Sequence, residues 1–511
     1  SPRYNLSASG GNSSENFRAS VGYNNTVGTS IGVNFEQING SFTYRRIAGN
    51  VTIETSNRVS NAIQDGQLEG GSYFAAPQMT RVFMAPVHQP KNADGTWNTN
   101  LATSIFNTGY LADNNISRND ATRAISNTGV KIKLGDGLRF QTRYAIDYNI
   151  GNAHRYQNPT HGGGVTDNGY AYQSTSRDFS WTTLNTLSYD KSFGDHNVSA
   201  TAQFSFGKSK YDFLSSSGEN VAADGLIYVT SFGTNRDGTG SFVDTKRLGY
   251  VGLFNYSYQD KYIADFSFRR DGSSRFAPGY RMGNFWSGAF AWNITNENFL
   301  ADNNIINTLR LRASIGETGS NSVGINAYQS LFGYGGSYND NGAVSPSSYG
   351  NGILTWEKQS QFDVGIEYAI LDNRISGTIG YFNRKTSDLL QSVPLSRTTG
   401  HSSQTKNVGE VENSGLELEL SADVVKTDNF TWTIYSNYAT LDNKVTKLAK
   451  DAAGNDINLD GAYNRIRVGE ELNGWFLRMW AGVNSDTGVP MYNLGEKADD
   501  SIDMSITEIY N

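Results

Sequence analysis

The side chains able to do chemistry are sparse, and their spacing is poor for catalysis. Five histidines stand at positions 88, 154, 161, 196 and 401, and there is no cysteine. Only His154 and His161 are near neighbours, and no pair has metal-ligand spacing. Glu410/Glu412 and Glu417/Glu419 are paired carboxylates at i and i+2. On a strand each pair shares a face, and the reading here puts that face toward a hydrated interior. General acid–base work needs one desolvated member of such a pair, and nothing in the flanking residues supplies it. The sequence therefore reads as no enzyme. Asp456, Asn458, Asp460 and Gly461 match the first half of a calcium loop, but Arg467 stands where the closing glutamate belongs. No cofactor is expected, calcium at 456–461 being the one weak alternative.

Recognition chemistry is better represented. Tyr328, Phe332, Tyr334, Tyr338 and Tyr349 lie among Gly, Ser and Asn in residues 328–352. Tyr73, Phe74, Trp97 and Phe106 lie in 72–106. Flat rings beside hydrogen-bonding groups suit sugars, peptides or protein partners. Trp97, Tyr328, Tyr334, Tyr338 and Tyr349 are the candidate ligand-binding residues. The plain alternative is loop packing. Arg270, Asp271 and Arg275 follow a strand end and read as a loop-anchoring ion-pair network. Trp286, Trp292, Trp356, Tyr381 and Trp432 read as interfacial girdle residues.

Such loops need a scaffold, and composition limits the choice. The chain has 511 residues, 37% hydrophobic and 18% charged, with Gly 55, Tyr 29, Phe 26, Trp 8 and Pro 9. Both fractions fall below globular averages. Aromatic content of 12% excludes disorder. A net charge of −7 argues against nucleic acid as a partner. No apolar run is long enough for a membrane helix. An all-β chain remains.

Parity decides how its strands are used. In 284–294, Trp286, Gly288, Phe290, Trp292 and Ile294 alternate with Ser287, Ala289, Ala291 and Asn293. The same split recurs over 250–258, 309–315, 361–370 and 416–423. The alternating runs are about 9–11 residues, the span of a tilted transmembrane strand. Short turns at 135–137, 194–196, 259–261, 371–373 and 426–428 alternate with long polar stretches at 149–176, 208–245, 270–283, 317–355, 385–411 and 441–472. The connection 295–308 belongs with the short turns by parity. Short turns on one side and long loops on the other describe a transmembrane antiparallel outer-membrane β-barrel. About 17 strands are expected, over one barrel domain spanning 1–511. The terminal segment 506–511 does not read as a closing strand.

Several strings, in order, carry a family resemblance: Arg270-Asp-Gly-Ser-Ser-Arg-Phe276, Asn293-Ile-Thr-Asn-Glu-Asn-Phe299, Leu309-Arg-Leu-Arg-Ala-Ser-Ile-Gly316, Leu354-Thr-Trp-Glu-Lys358, Tyr381-Phe-Asn-Arg-Lys-Thr-Ser-Asp-Leu-Leu390, Asn407-Val-Gly-Glu-Val-Glu-Asn-Ser-Gly-Leu-Glu-Leu-Glu-Leu420 and Ala481-Gly-Val-Asn-Ser-Asp-Thr-Gly488. Together they resemble the SusC/RagA-type TonB-dependent transporters of Bacteroidota outer membranes. The resemblance implies a 22-stranded barrel when complete, with a plug before residue 1 and further strands after residue 511. It also implies drive from TonB, a SusD-like surface lipoprotein over the mouth, and import of oligomeric nutrients, glycans or peptides. The alternative is a barrel of this family serving as a structural or accessory subunit of a larger outer-membrane assembly or secretion machine, with other envelope proteins as partners.

Overall fold

The computed structural model describes residues 1–68, 76–101, 105–451, 453–461, 463–496 and 502–508. It divides into two compact units. The first holds Ser1–Ser192, Val198–Phe254 and Arg269–Ser274; the second holds Phe193–Asn197, Asn255–Phe268 and Arg275–Asn511.

In the first unit strands follow one another as an antiparallel meander. They are β1 (Arg3–Gly11), β2 (Glu15–Val27), β3 (Asn34–Ala48), β4 (Val51–Asp65), β5 (Ile116–Lys133), β6 (Leu138–Gln157) and β7 (Tyr170–Phe193). Each pairs with the next through its full length. Two short helices of seven residues each, α1 (Pro77–Phe83) and α2 (Thr108–Asn114), interrupt the passage from β4 to β5. The chain continues through β8 (His196–Val221), β9 (Phe232–Tyr258) and β10 (Tyr262–Ser273).

The second unit carries β11 (Met282–Asn293), β12 (Ile306–Ser320), a separate hairpin of β13 (Leu331–Tyr338) and β14 (Asn341–Ser348), then β15 (Glu357–Ile370), β16 (Ile375–Pro394) and β17 (Ser403–Lys426). Two segments, β18 (Thr431–Ala439) and β19 (Asp442–Lys447), both pair with β17. Their register on β17 runs on unchanged from Glu417/Ala439 to Ser414/Asp442, so they are one strand interrupted at Thr440 and Leu441. Outside the β13–β14 hairpin and the short strands beyond β19, the described strands number seventeen with β18 and β19 counted separately.

Register converts the parity pattern into surfaces. Residues directly opposite one another share a face. One row of the second unit runs Trp292, Leu311, Ile366, Ile379, Leu418; the next runs Phe290, Ala313, Val364, Tyr381, Leu416. These large apolar side chains stay open to the surroundings: Phe290 is 47% exposed, Ile379 46% and Leu416 47%. A water-exposed sheet face of this composition would aggregate. Facing hydrocarbon, it is the apolar band of a membrane barrel, ~25 Å tall. The opposite face carries Arg310, Arg312, Asp363, Glu367, Glu417 and Glu419.

All five anticipated short turns sit between paired strands, and 294–305, with two turns of 3-10 helix, joins β11 to β12 on the same side. The anticipated long loops need correction. Strand structure continues far into them: β8 has 26 residues and β9 has 27, leaving only 222–231 between them. Likewise 158–169, 274–281 and 395–402 are all that separate β6 from β7, β10 from β11 and β16 from β17. The reason is that alternation of apolar and polar residues stops where the wall leaves the bilayer, while the backbone ladder does not. Polar residues on both faces satisfy a hydrated strand as well as a loop. The chain's last described part is no closing strand of the wall, as expected. Ile502–Glu508 is a strand pairing with Pro490–Glu496, so 506–508 belong to a local three-stranded sheet. Residues 509–511 lie outside the described residues.

Candidate functional site

The long-loop side of the second unit is built around a buried cluster of Phe276, Phe285, Val323, Leu354 and Trp356, with Tyr328 and Leu390 packed against it. Phe276 and Leu354 are fully buried. The Trp356 ring tilts onto Phe276 at 5.3 Å and meets Phe285 edge-on at 5.5 Å. Its indole N–H donates to the Arg281 carbonyl at 3.0 Å. Trp356 is thus a core residue and not part of an interfacial girdle. A large ring beside a strand start has the same sequence signature in both roles. Trp286 and Trp432, 45% and 52% exposed, keep the girdle position.

Polar bonds lock the same junction. Asn407 donates to the Thr355 carbonyl at 2.8 Å and to the Asp388 carbonyl at 2.9 Å, and accepts from the Thr355 amide at 3.0 Å. Glu357 accepts from the Leu390 amide at 2.9 Å. Arg275 donates to the Val323 carbonyl at 2.8 Å. Strings scattered from Arg270 to Asn407 therefore meet at one knot beneath the loops. In the anticipated ion-pair network Asp271 pairs with Arg269, and Arg275 anchors a loop through its bond to the Val323 carbonyl.

The candidate tyrosines of this unit lie on or beside the β13–β14 hairpin. Tyr328 is half-buried against the cluster. Tyr334 and Tyr338 are each 82% exposed on β13, and Tyr349 is 47% exposed. The Tyr349 ring tilts over His401 at 5.4 Å. On the hairpin, Phe332 lies opposite Pro346 and Tyr334 opposite Val344, all open. A patch of this kind offers ring faces with backbone polar groups at its edges. Trp97, in the first unit, is held differently. It donates to Asp113 at 2.7 Å, carries Lys91 over its ring at 4.6 Å, and packs so tightly on Gly109 that a Cβ there would lie 2.4 Å from the ring. Tyr73 and Phe74 lie outside the described residues.

Around Trp97 the loops form their own packed centre. Asn107 caps α2, accepting from the Gly109 and Tyr110 amides, and donates to the carbonyls of Pro90 and Asn98. His161 is buried, edge-on to Phe106 and Tyr110, with Nε2 accepting the Asn107 amide at 2.8 Å. Burial pushes the His161 pKa below its ordinary value. No spacing rule in the sequence pointed to this histidine as a loop core.

On the inner face Glu367 pairs with Arg312 at 3.4 Å and Arg310 at 3.7 Å. Gln361 donates to Asp363 at 2.7 Å. Glu417 and Glu419 share this face. Glu410 and Glu412 do not. They share the outer face with Leu416 and Leu418, beyond the apolar band, where Glu410 pairs with Lys385 at 2.8 Å and Glu412 accepts from Asn383 at 2.6 Å. Parity along β17 does not switch, so the two glutamate pairs, seven residues apart, must point opposite ways. The 456–461 segment engages its carboxylates with cations of the chain: Asp456 with Lys450 at 3.1 Å and Asp460 with Arg467 at 3.0 Å. Among the described residues no group of three or more His, Cys, Asp or Glu is placed to hold a metal.

The model of the TonB-dependent receptor-like β-barrel matches residues 80–501. The chain belongs to that family. It is an outer-membrane β-barrel of SusC/RagA type. It is 31% identical over 461 residues to the "TonB-dependent receptor P3" of Formosa agariphila, covering 85% of this chain and 44% of that one. It is 32% identical over 271 residues to the TonB-dependent receptor SusC of Bacteroides thetaiotaomicron, covering 48% of this chain and 26% of that one. The chain thus spans less than half the length of these relatives. Among solved structures, the RagAB peptide transporter superposes over 100% of this chain and 57% of that one with a TM-score of 0.82 at 23% identity. A siderophore receptor, PiuA of Acinetobacter baumannii, matches 92% of this chain and 65% of that one with a TM-score of 0.51.

Proposed function

We propose that the protein is a TonB-dependent importer of oligomeric nutrients, glycans or peptides, working with a SusD-like surface lipoprotein. It has no catalytic role of its own. The carrying observation is the exposed aromatic hairpin at 331–348 in the connection between β12 and β15. Relatives named SusC and RagAB support the pairing with a lipoprotein. A flexible oligomer pays ordering entropy on binding. Ring faces at the mouth recover part of it, and a second surface closing over the ligand recovers more. Tyr334, Tyr338 and Tyr349 are the proposed contact residues, with Tyr328 supporting them from below. Trp97 is proposed to hold the 85–114 loops in place for the same ligand. Charged groups on the inner face, Arg310, Arg312 and Glu367 among them, would keep the passage hydrated. TonB would act through the part of the protein preceding this chain.

Purification of the full-length protein in mild detergent, followed by mass spectrometry, tests the reading. A stoichiometric surface lipoprotein is expected, and Tyr334→Ala/Tyr338→Ala should weaken its retention or that of its ligand. Recovery of several other envelope proteins in fixed ratio, with no lipoprotein, would overturn it in favour of an assembly subunit.

A further inference from the structure

On four successive strands, β7 to β10, the outer wall makes the same change of chemistry. Trp181 and Phe179 lie opposite Ile146 and Tyr148, while Ser180 and Asp178 lie opposite Asp147 and Asn149, so the odd residues of β7 face lipid. The Trp181 ring meets Phe206 at 5.4 Å and the Phe204 ring meets Tyr250 at 5.3 Å, which carries the outer face onto the even residues of β8 and β9. Ser205 donates to the Gly249 carbonyl at 3.4 Å, and a Cβ on Gly249 would lie 2.9 Å from Asp271. Asp271 is therefore inward and Arg270 outward. Where the apolar belt ends toward the long loops, the next outward residue is Arg177 after Phe179, Lys208 after Phe206, Lys246 after Leu248 and Arg270 after Phe268. The same step elsewhere gives Glu36 after Ile38, Asn152 after Ile150, Glu317 after Ile315 and Asn383 after Tyr381. Four residues beyond the Phe204–Tyr250 contact on each strand, Lys208 and Lys246 are neighbours. Lys208 pairs with Asp244 at 2.9 Å, and Lys210 pairs with Asp212 at 3.0 Å. Arg177, Lys246 and Arg270 are exposed and, among the described residues, pair with no carboxylate. The whole chain carries a net charge of −7, so a run of cations here is no reflection of a basic protein.

We propose that this cationic band is a binding site for the phosphorylated glycolipid of the outer leaflet. Long loops mark the extracellular side of an outer-membrane barrel, so the band stands where outer-leaflet headgroups begin. Lysine and arginine stems lie along apolar surface while their heads reach the polar layer. Phosphate takes charge-assisted bonds there, bidentate from Arg177 or Arg270 and as point charges from Lys208 and Lys246. A ligand at this height meets two chemistries at once, the rings of Phe179, Trp181, Phe206 and Tyr250 on the hydrocarbon side and the cations on the other. An amphiphile with acyl chains and an anionic head satisfies both. A soluble anion satisfies only the second, and an acidic protein would leave the rings to lipid.

The full-length protein in mild detergent provides the test, with purified outer-leaflet glycolipid as the probe and native mass spectrometry as the readout. Lys208→Gln/Lys246→Gln should bind the glycolipid about tenfold more weakly than the unsubstituted protein, and Lys208→Arg/Lys246→Arg should restore binding. Lys358→Gln/Lys385→Gln, which removes two cations from the wall of the second unit, should leave binding unchanged. A further comparison needs no variant: the unsubstituted protein should bind the same glycolipid about tenfold more weakly once its phosphates are removed, and inorganic phosphate alone should not displace the intact lipid. Equal binding of intact and dephosphorylated lipid, equal losses in the two Gln pairs, displacement by inorganic phosphate, or retention of an acidic protein in place of lipid would each overturn the proposal.

Discussion

Two stretches of wall with the same backbone architecture carry different belts. From β11 to β17 two adjacent outward rows are apolar throughout, one of them Trp292, Leu311, Ile366, Ile379 and Leu418. From β3 to β6 the row Phe42, Asn57, Ser126, Ile146 is cut in the middle. The ladders of the cut stretch run without a register shift, so backbone irregularity does not explain the difference. Side-chain polarity differs instead: one stretch offers only apolar side chains to its surroundings, while the polar groups of the other bond to one another across β4 and β5.

Charge placed on the unbroken belt should do the most damage. Phe290→Arg should destabilise the folded barrel by roughly 2–4 kcal/mol, read as lost outer-membrane assembly and a lower denaturation midpoint. Ser287→Arg, on the inner face, should assemble at near-normal levels. Equal defects would erase the distinction between the faces. A smaller loss, about 1–3 kcal/mol, is expected for Ile366→Asn, which recreates in the second unit what the first tolerates. Asn57→Leu should fall within about 0.5 kcal/mol in barrel stability, the size of an ordinary surface change. If Asn57→Leu instead costs as much as Ile366→Asn, the hydrogen bonds within the polar strip of β4 and β5 carry barrel stability and the contrast between the two stretches loses its meaning.

Acid separates the two units further. His161 is neutral in the fold because burial lowers its pKa. Its contribution is therefore fully present above the ordinary value of about 6.5 and is lost as pH falls through the lowered one, because a protonated Nε2 no longer accepts the Asn107 amide. In the second unit Glu297 accepts from Tyr262 at 2.5 Å, Trp292 at 3.0 Å and Lys261 at 3.3 Å. The Tyr262 bond first, then that of Trp292, holds its pKa below the ordinary carboxylate value. Its contribution is present above about pH 4.3 and fades only under stronger acid. Hydrogen exchange across a pH series should show residues 105–114, which pack on His161, loosening first and the 294–305 turn later. His161→Phe should flatten the first transition and leave the second in place. The reverse order would contradict both assignments.

The sequence made the wall legible where lipid and water impose opposite demands on alternate residues. Parity at 284–294 and 361–370 predicted both faces, and the turns at 135–137 and 371–373 fell where expected. It failed where that contrast ends. Strands β8 and β9 run through stretches read as loop because water satisfies both of their faces. Glu410 and Glu412 were placed inside because their spacing matches Glu417 and Glu419, although continuing parity points them outward. At the candidate site, the exposure of Tyr334 and Tyr338 was readable from their Gly, Ser and Asn neighbours. The knot beneath them was not, because Phe276, Leu354 and Asn407 meet only through tertiary packing that no local pattern encodes.

The importer reading itself is tested most directly by uptake. Cells making the full-length protein, cells lacking it, and cells with it but without TonB would be given mixtures of oligosaccharides and of peptides. The medium would then be followed by mass spectrometry. One class of oligomer should disappear only where both the protein and TonB are present, and Tyr334→Ala/Tyr338→Ala should slow that loss. Identical depletion by all three strains, for every oligomer supplied, would contradict the account.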